Sequence, residues 1–205
     1  MTQPRYPIPA ALFRCEIEVK HSRFITTIES TATPETALSF ISHIKQEFPD
    51  ATHNCWAYLI GPPGSTDRIG LSDDGEPHGV AGKPMLTTLQ HSGLGDITAV
   101  VTRYFGGTKL GKGGMVKAYT LAVKTALEQL KIVEKIDWVK LSVKIDYQFL
   151  NNIERLLPDF EAEPIDKQFT EKICLDLKLP KENLHDLCTR LTDLTSGQID
   201  FLQQE

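Results

Sequence analysis

Residues 96–120 read "DITAVVTRYFGGTKLGKGGMVKAYT" and contain an apolar run, a glycine-rich stretch and the start of a periodic segment. The apolar run predicts a buried strand. From Met115 onward, apolar residues recur every three or four positions, as on one face of a long helix. These residues are Met115, Val116, Tyr119, Ala122, Val123, Ala126, Leu127 and Leu130. Residues 106–115 are therefore predicted to be a loop that joins a strand to a helix, as in an α/β domain.

Two nucleotide-binding motifs nearly fit this loop, and each fails at one position. The P-loop pattern G-x-x-x-x-G-K-[ST] matches residues 106–112, but Gly113 stands where a magnesium-binding hydroxyl is required. The dinucleotide motif G-x-G-x-x-G can be aligned on Gly111 and Gly113, but Val116 occupies its last glycine position. We therefore expect no nucleotide hydrolase of the P-loop type and no cofactor.

The same region carries positive charge. Residues 97–127 contain five basic side chains and no acidic one, and such a stretch attracts phosphate. Backbone N–H groups at the start of a helix would add to that attraction. The alternative is that the glycines meet steric needs and the lysines only solvate the helix. We predict a phosphate-binding site formed by Arg103, Lys109, Gly111, Lys112, Gly113, Gly114 and Lys117.

Two adjacent aromatic residues, Tyr104 and Phe105, precede the glycines. Either ring could stack on a nucleic-acid base. Because neighbouring side chains on a strand point to opposite faces, at least one of the two is predicted to lie in the core.

An acidic turn, "LSDDGEPHGVAGKP" at residues 71–84, is a second candidate site. Asp73, Asp74 and Glu76 could hold a divalent cation or act as acid and base. Their spacing is not that of a calcium-binding loop, so a glycine turn with exposed acids is favoured and no metal is expected. With His78 and Lys83 they form a possible additional surface, provided that the fold brings them beside the glycine loop.

His53 and Cys55 in "HNCW" share one face of a predicted strand. A Cys–His nucleophilic pair is conceivable here, but no third residue that would orient the histidine can be identified. No catalytic residue is assigned.

Composition restricts the class of protein. With 205 residues, 40% of them hydrophobic, the chain is long and apolar enough to fold. Its four cysteines are dispersed, which argues against a disulfide framework or a zinc site. No signal peptide or membrane span is evident, so we expect a cytoplasmic protein. Residues 1–134 carry 13 basic and 13 acidic side chains and residues 135–205 carry 9 and 14, so the net charge of -5 arises in the second part.

The first predicted domain spans residues 1–134. It opens with a hairpin formed by "CEIEVK" and "RFITTI", followed by a helix that Thr33 caps and Pro49 ends. A buried strand, "NCWAYLI", comes next, and a polar loop over residues 61–78 then leads to a short helix from Pro84 to Gln90.

The second predicted domain spans residues 135–205. Alternating apolar positions indicate strands near residues 139–145, 161–165, 173–179 and 198–202. Helical spacing indicates helices near residues 149–156 and 184–194. The order βαββαβ is that of a ferredoxin-like domain.

Five segments together resemble the YigZ/IMPACT family of bacterial and eukaryotic proteins. They are "KHSRFI", "ATHNCWAY", "SDDGEP", "AGKPML" and "RYFGGTKLGKGGMVKAY". The resemblance implies an N-terminal domain similar to a ribosomal-protein fold that also forms domain IV of the translocating elongation factor. It implies a C-terminal domain similar to domain V of that factor. Eukaryotic members restrain a translation-controlling kinase through a further partner-binding domain, and the resemblance supplies no catalytic residues.

These observations predict a non-enzymatic binder of structured RNA or ribosome-associated components with a regulatory role in translation. One alternative is a small-molecule enzyme, either a phosphotransfer enzyme using the loop or a hydrolase using the acidic turn. Such an enzyme would bring the acidic residues and the loop into one concave pocket, whereas an RNA binder would present its lysines on an open surface. Another alternative is a protein–protein regulator, which would expose an apolar patch. The oligomeric state is not predicted.

Overall fold

The structure is a computed structural model that describes residues 5–204. It contains two compact units, of which the first ends at Lys135 and the second begins at Ile136. The boundary predicted from the sequence lies one residue earlier.

The first unit is built on a five-stranded antiparallel sheet. The strands of the unit, including two outside this sheet, are β1 (Arg5–Pro9), β2 (Phe13–Val19), β3 (Ser22–Ser30), β4 (His53–Leu59), β5 (Ile69–Ser72), β6 (Ile97–Tyr104) and β7 (Ile132–Ile136). Its helices are α1 (Pro34–Glu47), α2 (Gly82–Gln90) and α3 (Gly111–Gln129). The large sheet has the order β2-β3-β6-β4-β5, and β1 pairs with β7 in a separate two-stranded sheet.

Helices cover both faces of the large sheet, because its central strands are apolar on both sides. On one face α2 and α3 pack over the main core, which includes Phe24, Ala57, Met85, Val101 and Tyr119. On the other face α1 packs over a smaller cluster of Phe40, Ile41, Ile44 and Val100. The unit is therefore a three-layer α/β/α arrangement with β6 at its centre.

Helix α1 begins and ends as the sequence predicts. The Thr33 side chain accepts a hydrogen bond from the backbone of Thr36, and the Thr36 side chain accepts one from the backbone of Thr33. Pro34 occupies the first turn, where its missing N–H costs nothing. The last turn closes at Phe48, directly before Pro49.

The predicted hairpin is present as β2 and β3, with Val19 opposite Ser22. Lys20 and His21 form its turn with φ values of 49° and 66°, the left-handed geometry that a two-residue hairpin turn requires.

The second unit has the element order βαββαβ that its alternating pattern predicts. Its strands are β8 (Trp138–Ile145), β9 (Glu163–Phe169), β10 (Ile173–Pro180) and β11 (Ile199–Gln204), and its helices are α4 (Leu150–Leu156) and α5 (Leu184–Leu194). The sheet has the order β11-β8-β10-β9, and all its pairs are antiparallel. Apolar residues that alternate along β8 and β10 form a second, separate core with the two helices.

The structure differs from the predicted elements in three ways. The predicted polar loop over residues 61–78 contains β5, which pairs with the edge of β4. Helix α2 begins at Gly82 rather than Pro84, and α3 begins at Gly111, inside the predicted loop. Strands β1 and β7 were not predicted, because five-residue strands without a regular alternation carry little sequence signal. Among the described residues, no helix combines the length and the apolar character needed to cross a bilayer.

Candidate phosphate-binding site

The first turn of α3 contains all three of the predicted phosphate-binding glycines. The loop between β6 and α3 is short, and Gly111, Gly113 and Gly114 all belong to the helix. No side chain caps this turn and it contains no acidic residue. Because the first N–H groups of a helix have no partner within it, the turn offers unpaired donors and the positive end of the helix dipole.

Steric needs explain some glycines of this region but not all. A Cβ on Gly106 would lie 1.9 Å from the carbonyl oxygen of His21, so only glycine fits against the β2–β3 turn. Gly107 and Gly111 have φ values of 85° and 70°, which glycine adopts readily. Gly113 has neither constraint, since a Cβ there would meet nothing within 4 Å. Packing therefore does not explain why residue 113 is a glycine.

Three of the predicted lysines surround this turn. Lys109, Lys112 and Lys117 are exposed, and within the described part of the chain none of them forms an ion pair. Lys124 lies farther along α3 and is 3.8 Å from Glu128 of the same helix. The charge at the start of α3 is therefore free to meet an anion.

Arg103 is placed differently from its prediction as a surface phosphate ligand. The residue is 5% exposed, and its guanidinium forms an ion pair with the Glu76 carboxylate, which is also buried. The Tyr119 hydroxyl donates to the same carboxylate at 2.8 Å. The side chain lies under the loop because β6 directs it into the core, and its charge is balanced there. Its Nε has no hydrogen-bond partner among the described residues.

A concave cavity of about 360 Å³ joins this buried pair to the loop, and we call it the Arg103 cavity. Its lining combines residues of the acidic turn, of β4 and of the start of α3. They are Thr52, His53, Glu76, Pro77, Arg103, Phe105, Lys109, Leu110, Gly111, Lys112 and Met115. Of the predicted acidic residues, the fold brings Glu76 beside the loop.

His53 contributes an acceptor to this cavity. Its Nδ1 lies 2.8 Å from the carbonyl oxygen of Asp74, which can only accept, so Nδ1 carries the proton in the neutral ring. Nε2 then carries the lone pair, and it lies 3.9 Å from a carboxylate oxygen of Glu76.

Cys55 is not a nucleophile paired with His53. Its Sγ lies 3.0 Å from the carbonyl oxygen of Asp73 and 3.3 Å from the Tyr119 hydroxyl. Burial raises the pKa of the thiol to about 12, so it stays protonated at neutral pH. Burial likewise raises the pKa of Tyr119, which acts as a neutral donor to Glu76.

The acids of the turn are engaged rather than exposed, which corrects the simple solvated turn that we expected. The Asp73 carboxylate accepts backbone hydrogen bonds from Gly79, Ala81 and Gly82 at 2.7, 3.0 and 2.9 Å. Asp74 accepts from Lys45 Nζ at 2.5 Å and from a backbone amide of β4 at 2.7 Å. Both carboxylates hold the turn in place.

His78 and Lys83 lie outside the Arg103 cavity. The His78 side chain is fully exposed, and its Nδ1 is 3.7 Å from Asp73. Lys83 lines a separate groove of about 740 Å³ between α2 and α3, together with apolar residues such as Leu94, Val116 and Leu127. The predicted additional surface is therefore not continuous: Glu76 lines the Arg103 cavity, whereas Lys83 lines the groove between α2 and α3.

Neither Tyr104 nor Phe105 belongs to the core, so that expectation was wrong. The Tyr104 hydroxyl donates to Asp50 at 2.9 Å, on the surface. Phe105 is 47% exposed and lies after the end of β6, where strand alternation no longer applies. Its ring centroid is 5.7 Å from the Arg103 guanidinium.

A second concavity, of about 550 Å³, lies beside the same helix turn. It is lined by Lys20 of the β2–β3 turn, by Lys117 and by Gly113 and Gly114. Sequence reasoning missed Lys20, because the hairpin turn and the loop are more than 80 residues apart and only the fold brings them together, with Gly106 packed on His21. Across residues 5–204, no three His, Cys, Asp or Glu side chains converge as metal ligands would.

Comparisons with known proteins match both units. A family model described as the Impact N-terminal domain covers residues 20–127, and a domain of unknown function, DUF1949, covers residues 143–198. The Escherichia coli protein named IMPACT family member YigZ is 40% identical over 198 residues, which are 97% of each chain. The Bacillus subtilis IMPACT family member YvyE is 36% identical over 190 residues, which are 93% of this chain and 87% of that one. A crystal structure titled as that of a hypothetical protein is 40% identical, with a TM-score of 0.69 over 98% of this chain and 97% of the other.

Proposed function

Since this chain belongs to the IMPACT family, we propose that it is a non-enzymatic binder of structured RNA or ribosome-associated components in the cytoplasm. Membership of that family suggests a regulatory role related to translation. One observation supports the RNA contact, namely the uncapped first turn of α3 surrounded by unpaired lysines. Phosphate is one of the anions that such a turn binds through its free N–H groups and the helix dipole.

The arrangement of charge suits a chain of phosphates better than a single one. Lys109 and Lys112 line the Arg103 cavity on one side of the turn, and Lys20 and Lys117 line the concavity on the other. A nucleic-acid backbone that crosses the turn would meet positive charge before and after the helix amides. Such contacts hold the backbone without reading its sequence.

The expected likeness to domains IV and V of an elongation factor points in the same direction. Both domains are parts of a factor that acts on the ribosome, and the expected likeness therefore favours RNA as the partner. This support is an analogy of fold, and the site residues carry the proposal.

The test compares two double variants of equal charge. Replacing Lys109 and Lys112 by alanine should weaken binding to labelled tRNA and ribosomal RNA fragments by about tenfold or more in dilute salt. The control replaces Lys124 and Lys131, which are exposed at the other end of α3. Equal weakening in both variants, or unchanged affinity in a folded Lys109/Lys112 variant, would remove the loop from the proposal.

A small-molecule enzyme is a second candidate, because Glu76 and His53 line the same cavity as the loop. Glu76 already accepts from Arg103 and Tyr119, which leaves His53 Nε2 as the group for proton transfer. The test is phosphate release from a panel of phosphorylated metabolites. Turnover that disappears in His53→Gln would support an enzyme, and the absence of turnover in the unaltered protein would reject it.

A further inference from the structure

We infer that the Arg103 cavity binds one nucleotide carrying a terminal phosphate, either free or at the end of an RNA strand. The inference rests on the proposed function for its RNA source, and it adds that the site recognises a strand end. The ligand would occupy the cavity as well as contact the exposed lysines.

The phosphate end of the ligand would lie at the start of α3. Gly111 and Lys112 supply amides from the uncapped turn, and Lys109 and Lys112 supply charge at the same wall of the cavity. A terminal phosphate presents more charge and more acceptor oxygens than an internal diester, so it gains more from a converging set of donors. This end of the cavity therefore favours a phosphomonoester.

The base would lie against Phe105. This ring is half exposed and lines the cavity, although a phenylalanine directly after a strand gains nothing from exposure to solvent. Aromatic side chains bind unpaired bases by stacking, and the interaction tolerates any base. The Arg103 guanidinium behind the ring supports it through a cation–π contact.

Two polar groups of the cavity wall have no partner that satisfies them. The Arg103 Nε is buried without an acceptor, and the His53 Nε2 is 3.9 Å from its nearest charged neighbour, too far for a hydrogen bond. A buried donor without an acceptor is costly and is unusual in a folded protein. The Arg103 Nε itself has almost no exposed surface, so a ligand in the cavity would bond His53 Nε2, for which a sugar hydroxyl or a base amino group is a suitable donor.

The size of the cavity agrees with one nucleotide. Small-molecule sites have volumes of roughly 300–1,000 Å³, and this cavity has about 360 Å³. A duplex cannot enter such a space, so the bound nucleotide must be unpaired.

The experiment uses the full chain and short single-stranded RNAs of one sequence. The strands end in a 5′-phosphate, a 3′-phosphate or hydroxyls only, and a circular strand has no end. We expect one phosphorylated end to bind about tenfold more tightly than the circle. Phe105→Ala should abolish this ratio, and Phe105→Tyr should retain it because tyrosine also stacks.

The outcomes separate this inference from the proposed function. Equal affinity for the circle and for both phosphorylated strands, together with no binding of free nucleoside monophosphates, would overturn the inference and leave RNA binding intact. Binding of free nucleoside monophosphates without binding of any RNA would retain the cavity ligand and reject the proposed function. If neither RNA nor free nucleotide binds, both are wrong.

Discussion

Asp73 shows how a single residue fixes the geometry of the acidic turn. Its carboxylate accepts three backbone hydrogen bonds at the start of α2, which has no other side-chain cap. Partial burial alone would raise the pKa of Asp73, but the bonds from Gly79, Gly82 and Ala81 outweigh it and lower the pKa. The folded state therefore favours the ionised carboxylate.

This pKa shift predicts how stability depends on pH. At pH 7, Asp73→Asn should lower the free energy of unfolding by about 1–2 kcal/mol, because hydrogen bonds to a charged acceptor are lost. A lowered folded pKa contributes stability that is present above the unfolded pKa and is lost as the pH falls through the folded value. The difference between the two proteins should therefore shrink below about pH 3.8, the ordinary value of the group. Urea unfolding across pH measures it.

The matched control is Asp67→Asn, which removes an exposed carboxylate from a nearby loop. It should change stability by only a few tenths of a kcal/mol at pH 7. A loss for Asp73→Asn that stays constant from pH 7 to pH 3 would mean that the charge of the carboxylate plays no part.

The buried ion pair of Arg103 could not be predicted from the sequence around it. The charge of Arg103 suggested a phosphate ligand, and nothing in the local sequence indicates that Glu76, 27 positions earlier, neutralises it in the core. Removing one partner of such a buried pair costs about 3–5 kcal/mol, because the other charge is left without compensation. An Arg103 variant would thus report on stability before it reports on binding.

At the scale of the element, the glycines in the first turn of α3 make this helix less stable than alanines would. A glycine inside a helix is less favourable than alanine by roughly 0.5–1 kcal/mol, and Gly113 has no packing contact that requires it. If the turn binds phosphate, the missing Cβ leaves its amides open to the ligand.

Gly113→Ala separates a binding role from a structural one. The variant should be more stable by about 0.5 kcal/mol, and it should bind RNA several-fold more weakly, because a Cβ tilts toward the helix start and covers the amides. Thermal unfolding and RNA titration measure the two effects. Gln129→Ala, at the exposed end of the same helix, should leave RNA binding unchanged. A stabilised Gly113→Ala with full affinity would contradict the binding role.

Elements with strong periodicity could be predicted, and those set by tertiary contacts could not. The alternating pattern of β8 and β10 and the cap of α1 are local, so the sequence displays them directly. The start of α2 depends on a carboxylate nine positions before it, and the pairing of β1 with β7 joins the two ends of the first unit. No local pattern encodes either contact.

At the scale of the whole molecule, charge and core are organised by unit. Each unit has its own core, and the spacing of apolar residues therefore changes near residue 135, where the first unit ends. The net charge of -5 arises in residues 135–205, so it says little about the exposed lysines at the start of α3. The glycine loop could be recognised as a candidate site from its sequence. Its cavity could not, because Thr52, Glu76 and Phe105 meet there only through the fold.

The salt dependence of RNA binding tests the central claim most directly. Each phosphate contact made by a lysine contributes about one to the slope of log affinity against log salt concentration. We predict that the slope of the Lys109/Lys112 alanine variant is shallower than that of the unaltered protein by about two. The Lys124/Lys131 variant should keep the original slope. Identical slopes for all three folded proteins, or no RNA binding by the unaltered chain, would contradict the claim that the start of α3 holds RNA phosphates.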